Sequence, residues 1–114
     1  MIAVIFEILP HPEHRQHYLD TAAALKPHLE AMPGFISIER FESLSQPGKV
    51  LSLSFWRDEE AVAQWRTLDV HRAAQSVGRE HYFADYRLRV ASVLRDYGLD
   101  ERAEAPADSR ARHG

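Results

Sequence analysis

Val50-Leu-Ser-Leu-Ser-Phe-Trp56, with Arg57-Asp58-Glu59-Glu60 directly behind it, is the stretch on which the fold turns. Strict alternation puts Leu51, Leu53 and Phe55 on one face of a strand and Ser52, Ser54 and Trp56 on the other, because successive strand side chains point to opposite sides. Asp58 then offers an oxygen to the unpaired amides that open a helix. Glu59 and Glu60 put negative charge where the helix dipole favours it. The helix so started carries Ala61, Val62 and Trp65. Upstream, Ser45-Gln46-Pro47-Gly48 is turn chemistry, and Phe35 to Ser43 alternates loosely, so the two strands form a hairpin.

Working outward, Ile2 to Leu9 is a short apolar run closed by Pro10, the pattern of a strand covered on both faces. His11-Pro12-Glu13 opens a helix whose Tyr18, Ala22, Leu25 and Leu29 fall on one stripe. Pro27 predicts a bend near its end, and Pro33-Gly34 stops it. Asp69 caps a further helix, Val70 to Val77, ended by Gly78. Phe83 to Tyr97 reads as a last strand, which at full extension would reach roughly 50 Å. Residues 99–114 lack an apolar period and read as a flexible tail, which leaves one domain over residues 1–98.

The element order is β-α-β-β-α-β, the ferredoxin-like α+β class with an antiparallel sheet. Its helices cover one sheet face. The first and third strands are nevertheless uncharged at nearly every position of both faces. A homodimer packed sheet to sheet supplies the missing cover, since identical chains usually associate about a two-fold axis.

With 114 residues, 45% of them hydrophobic, the chain has an ordinary globular composition. A formal charge of −3 gives no field for phosphate backbones or anionic lipid, so no nucleic-acid or membrane partner is expected. The absence of cysteine removes disulfides, thiolate zinc sites, iron–sulfur clusters and thiol nucleophiles. The N-terminal stretch has no basic region and carries Glu7, which reads against a secretory leader. No run approaches the about 20 apolar residues of a membrane span, and a cytoplasmic location is expected.

Leu51-Ser-Leu-Ser-Phe-Trp56, Trp65 followed by His71-Arg-Ala-Ala-Gln75 and Gly78-Arg79, and Phe83-Ala-Asp-Tyr-Arg-Leu-Arg-Val90 together resemble the antibiotic biosynthesis monooxygenase (ABM) superfamily. The resemblance covers residues 1–98. It implies a dimeric α/β barrel formed by two sheets and a pocket between sheet and helices for a small molecule. Members of the superfamily include cofactor-free oxygenases and haem-degrading enzymes. The haem-degrading branch carries an Asn on the first strand, a Trp on the helix after the third strand and a haem-ligating His beyond it. The matching positions here are Glu7, Trp65 and Gln75, so the Trp alone agrees and haem is the less favoured cofactor.

A cofactor-free oxygenase needs an apolar pocket, a base and an anion holder. His71 is the candidate base, because imidazole transfers protons near neutrality, and Arg79 is the candidate anion holder. His81 and Glu7 are second choices for the base. Trp65, Gln75, Phe83 and Tyr86 are candidate pocket walls, with Trp65 equally readable as core. Glu7 inside an apolar strand is either paired, with Arg87 and Arg89 available, or tuned for proton transfer. His11, His14 and His17 drift around a helix by roughly 60° per step and do not converge on a metal ion. The expected activity is oxygenation of a small aromatic or polyketide-like substrate without cofactor. A haem enzyme or a non-catalytic small-molecule-binding, stress-response dimer are the alternatives.

Overall fold

Residues 1–68 and 82–114 are described in a computed structural model of the chain. β1 (Ile2–Pro10) leads through a 3-10 turn (Pro12–His14) into α1 (Arg15–Glu30). β2 (Phe35–Glu42) and β3 (Val50–Trp56) form a hairpin, α2 (Glu59–Thr67) and β4 (Phe83–Ser92) follow, and α3 (Ala107–His113) lies near the C-terminus. The strands make one antiparallel sheet in the order β2-β3-β1-β4. This is the α+β, ferredoxin-like arrangement that the element order predicts. The helix expected over Val70–Val77 lies outside the described residues, and so do His71, Gln75, Arg79 and His81.

Local chemistry accounts for the element ends. Asp58, in extended backbone, accepts the Ala61 N–H at 2.9 Å and starts α2. Pro12 sits in the opening 3-10 turn, where a missing amide costs nothing. Pro27 falls within α1, yet the helix runs on to Glu30; so near the C-terminal end it forfeits a single backbone bond.

β4 ends at Ser92, five residues short of the strand that the sequence suggests. The reason is pairing. Ser92 lies opposite Ile2, and the Val93 N–H is taken by the Met1 carbonyl at 3.0 Å. Past that bond no further pairing with β1 follows, the backbone leaves the sheet, and Leu94 is 85% exposed. α3 buries none of its residues, and Arg102 ties it back by donating to the Gly114 carbonyl at 2.8 Å and to Ser109. No helix among the described residues is long and apolar enough to cross a membrane.

β1 is the central strand, and its register divides the sheet into two unlike faces. Ile2, Val4, Phe6 and Ile8 stand beside Trp56, Ser54, Ser52 and Val50 on the side of α1 and α2. Among the described residues, Ile8 and Trp56 are the largest fully buried side chains. Ala3, Ile5 and Glu7, beside Phe55, Leu53 and Leu51, occupy the opposite, open face. On that face Leu51, Leu53 and Phe55 are only half-buried in the single chain.

The α1–β2 turn ties this frame to α2. Gly34 has φ +84°, and a Cβ there would stand 2.7 Å from Ala61 Cβ. Its carbonyl accepts the Arg57 N–H at 2.7 Å, which fixes the entry to α2. Gly34→Ala therefore meets both a left-handed backbone and a collision. We expect a cost of about 2 kcal/mol or more, a fall in Tm of roughly 8–15 °C by thermal denaturation. A Tm within about 2 °C of the parent would remove this account of the turn.

Candidate functional site

The side chains that α1, α2 and the sheet turn toward one another do not fill the space between them. A cavity of about 180 Å³ remains. Its floor is small where the helices cross it, because Ser52 and Ser54 of β3 lie there beside Val4 and Phe6 of β1. Ala22, Leu25 and Leu29 of α1 form one wall, and Val62 and Trp65 of α2 another. Phe83, Leu88 and Val90 of β4 complete it on the far side. Two core clusters flank the space, one around Trp56 and Trp65, the other around Ile8 and Tyr18.

The aromatic groups are held in place. Trp65 is 8% exposed and stacks on Trp56, with centroids 6.5 Å apart and planes at 29°. Trp56 Nε1 donates to Ser54 Oγ at 3.0 Å, which satisfies the buried indole and fixes its plane. Trp65 thus both packs the core and lines the cavity. Phe83 lines the cavity too and meets Tyr18 edge-on at 5.5 Å. Tyr86 is not among the described lining residues; its ring packs edge-on against Phe6 at 5.8 Å and tilts against Phe83 at 6.1 Å.

Glu7 is turned to the open face of the sheet, away from the cavity. Lys49 Nζ lies 3.0 Å from its carboxylate, and Arg89 also donates to it. The hydrogen bond from Lys49, then that from Arg89, hold this carboxyl below the ordinary carboxylate range. Of the two readings that the sequence leaves open, the structure gives Glu7 the ion-paired environment. His71, Gln75, Arg79 and His81 lie outside the described residues. The His11, His14 and His17 rings follow one another at 6.3 Å, and His17 stacks on Tyr82. Among the described residues, no group of three His, Asp, Glu or Cys has the geometry to hold a metal ion.

In the sequence neither Tyr18 nor Arg40 stands out as a chemical group of the cavity: Tyr18 falls on the α1 packing stripe, and Arg40 lies within the loosely alternating second strand. Arg40 pairs across the sheet with Ser52, which puts it on the helix side, and it lines the cavity. Its Nε is fully buried and has no hydrogen-bond partner. Burial pushes the Tyr18 phenol above its ordinary pKa, and the neighbouring Arg40 guanidinium opposes that shift. The available signal was parity: Ile38 and Arg40 share a face with the small Ser54 and Ser52.

A family model described as antibiotic biosynthesis monooxygenase matches residues 1–77. The chain is 50% identical over 93 residues to the jasmonate monooxygenase ABM of Pyricularia oryzae, covering 82% of this chain and 43% of that protein. The chain therefore spans less than half of that relative's length. It is 31% identical over 93 residues to the uncharacterized protein YqjZ of Bacillus subtilis, covering 82% of this chain and 79% of that one. A candidate antibiotic biosynthesis monooxygenase from Deinococcus radiodurans has a similar structure, with TM-score 0.77 at 17% identity over 86% of this chain and 97% of that one. Rv0793 from Mycobacterium tuberculosis gives TM-score 0.76 at 20% identity over 85% and 98% of the two chains. At such identities the two structures bear on the fold alone.

The paired environment of Glu7 has a pH signature. Because folding lowers its pKa, the unfolded chain takes up the proton first as the pH falls. The pairing thus stabilises the fold near neutrality and fades as the pH drops through the folded pKa. Glu7→Gln should lower Tm at about pH 7 and differ less from the parent at about pH 3. An equal Tm difference at both would mean that the ion pairs contribute nothing.

Proposed function

The chain belongs to the antibiotic biosynthesis monooxygenase family, and on that premise we propose that it is a cofactor-independent monooxygenase whose substrate is oxygenated in the cavity between sheet and helices. The substrate is a small aromatic or polyketide-like molecule. The observation that carries this reading is the cavity itself: about 180 Å³ lined mostly by aromatic and aliphatic groups, two indoles among them, with no carboxylate among its described lining residues. Such a wall takes a flat ring and keeps water from a carbanion.

Dioxygen is a triplet and reacts slowly with closed-shell molecules, so the substrate must first become electron-rich. In this reading His71 removes a proton from an activated CH2 of the substrate. The carbanion passes one electron to dioxygen, and the two radicals combine to a peroxide. Protonation and loss of water then leave a carbonyl. One CH2 and one O2 become one C=O and one H2O, and the substrate supplies all the electrons. Arg79 holds the enolate or phenolate oxygen that stabilises the anion. Gln75 and His81 bind the substrate together with Trp65 and Phe83, with Tyr86 bracing Phe83.

The working unit in this reading is residues 1–98 as a cytoplasmic homodimer, with residues 99–114 appended. The open sheet faces pack on one another, with Glu7 and its cations at the seam. The half-buried Leu51, Leu53 and Phe55 support that arrangement. The name of the Pyricularia relative supports monooxygenation and makes jasmonate a first candidate substrate.

Chelator-treated protein should consume one O2 per jasmonate turned over, with no flavin, haem or metal added. His71→Ala should lower kcat by about 10²–10⁴-fold while leaving the fold intact. An unchanged rate would remove His71 as the base, and turnover that requires haem or a reductant would overturn the cofactor-free reading. In solution, light scattering should give twice the 13.1 kDa of one chain. A stable, unaggregated single-chain particle at high dilution would count against the dimer.

A further inference from the structure

We propose that the cavity takes a molecule bearing a carboxylate, and that the Arg40 guanidinium beside the Tyr18 hydroxyl is the group that receives it. This rests on the reading that the cavity is the substrate site, and it names the substrate class for that site.

Arg40 is a cation built into an apolar wall. A guanidinium does not give up its proton under any ordinary condition, so neutralisation is not open to it. Its Nε is fully buried and meets no acceptor, an arrangement that costs stability unless something arrives to accept from it. The carboxylates of its own strand are engaged elsewhere. Glu39 pairs with Leu53, on the open face of the sheet, and Glu42 lies 3.2 Å from Arg15. The described cavity lining contains Arg40 and Arg66 and neither Asp nor Glu. Tyr18 offers a neutral hydroxyl, because burial keeps its proton on. A donor fork and a phenol thus stand at one end of a space whose remaining walls are aromatic and aliphatic.

The ligand that complements this arrangement is amphipathic. An apolar ring or chain fills the space between Trp56, Trp65 and Leu25. A planar carboxylate accepts two parallel N–H bonds from Arg40 and an O–H bond from Tyr18. A phosphate is the poorer match, since its greater charge calls for several cations or a row of backbone amides. The binding is specific for the reason that a satisfied charge pair is: an ester or alcohol of the same shape leaves the guanidinium unpaired.

Trp56 and Trp65 both line the cavity, so their fluorescence reports occupancy directly. The unmodified chain should be titrated with 3-phenylpropanoate and, in parallel, with its methyl ester. The acid should bind at least about 10-fold more tightly than the ester. Arg40→Gln should weaken the acid by about 10- to 100-fold and shift the ester by no more than about 3-fold. Arg40→Lys, which keeps the charge and loses the fork, should fall between the two. Equal affinity for acid and ester in the unmodified chain overturns the proposal and leaves the cavity as a binding site. Equal losses of both ligands in Arg40→Gln also overturn it, since the residue is then structural. Quenching by neither ligand overturns the cavity reading itself, and the carboxylate proposal with it.

Discussion

The whole site depends on how little β3 places beneath the helices. Protein interiors close to crystal-like density when the side chains on facing elements are large enough to interdigitate. Ser52 and Ser54 are too small for that, and they sit on the strand that pairs with the central β1. The helices cannot collapse onto them because bulkier neighbours prop the layers apart on both sides. The stacked Trp56 and Trp65 do so at one end, and Ile8, Tyr18 and Val50 at the other. The cavity is therefore a property of the alternation in β3. A leucine at either serine would still be a strand residue of the right parity, but it would turn the space into core.

The same strand pattern separates two kinds of charge. On the open face, Glu7 sits in an apolar strand and is matched by Lys49 and Arg89, so its burial is compensated within the chain. On the helix face, Arg40 sits in apolar surroundings and meets no acceptor at Nε. Both are charges placed on otherwise apolar sheet faces, and the protein treats them differently. The matched one stabilises structure. The unmatched one is stored interaction energy that an incoming anion can release, which is what a ligand-binding group requires.

What the sequence made legible follows from the range of the interaction involved. The Val50–Trp56 alternation and the Asp58 cap are local, and the hairpin and α2 form as they suggest. The end of β4 is not local. Val93 and Tyr97 favour extended backbone, yet a strand continues only while a neighbour can accept its hydrogen bonds, and the pairing with β1 runs only as far as Ile2 opposite Ser92. Trp65 and Phe83 were legible as cavity candidates because a large aromatic on an amphipathic element has few other places to go. Arg40 was not, because a charge in the loosely alternating Phe35–Glu42 reads as solvent-facing until the register with Ser52 is known.

This division also explains how solved structures at 17% and 20% identity share the fold so closely. Period-two strands, an amphipathic helix and a capped turn can be written with many residue choices, since each needs only the right polarity at the right spacing. A cavity that holds one molecule tolerates no such substitution, because its volume and its charge belong to individual side chains. A common fold thus carries little information about the substrate. For this chain that information lies in the small serines of the floor, the paired indoles, and the guanidinium set among them.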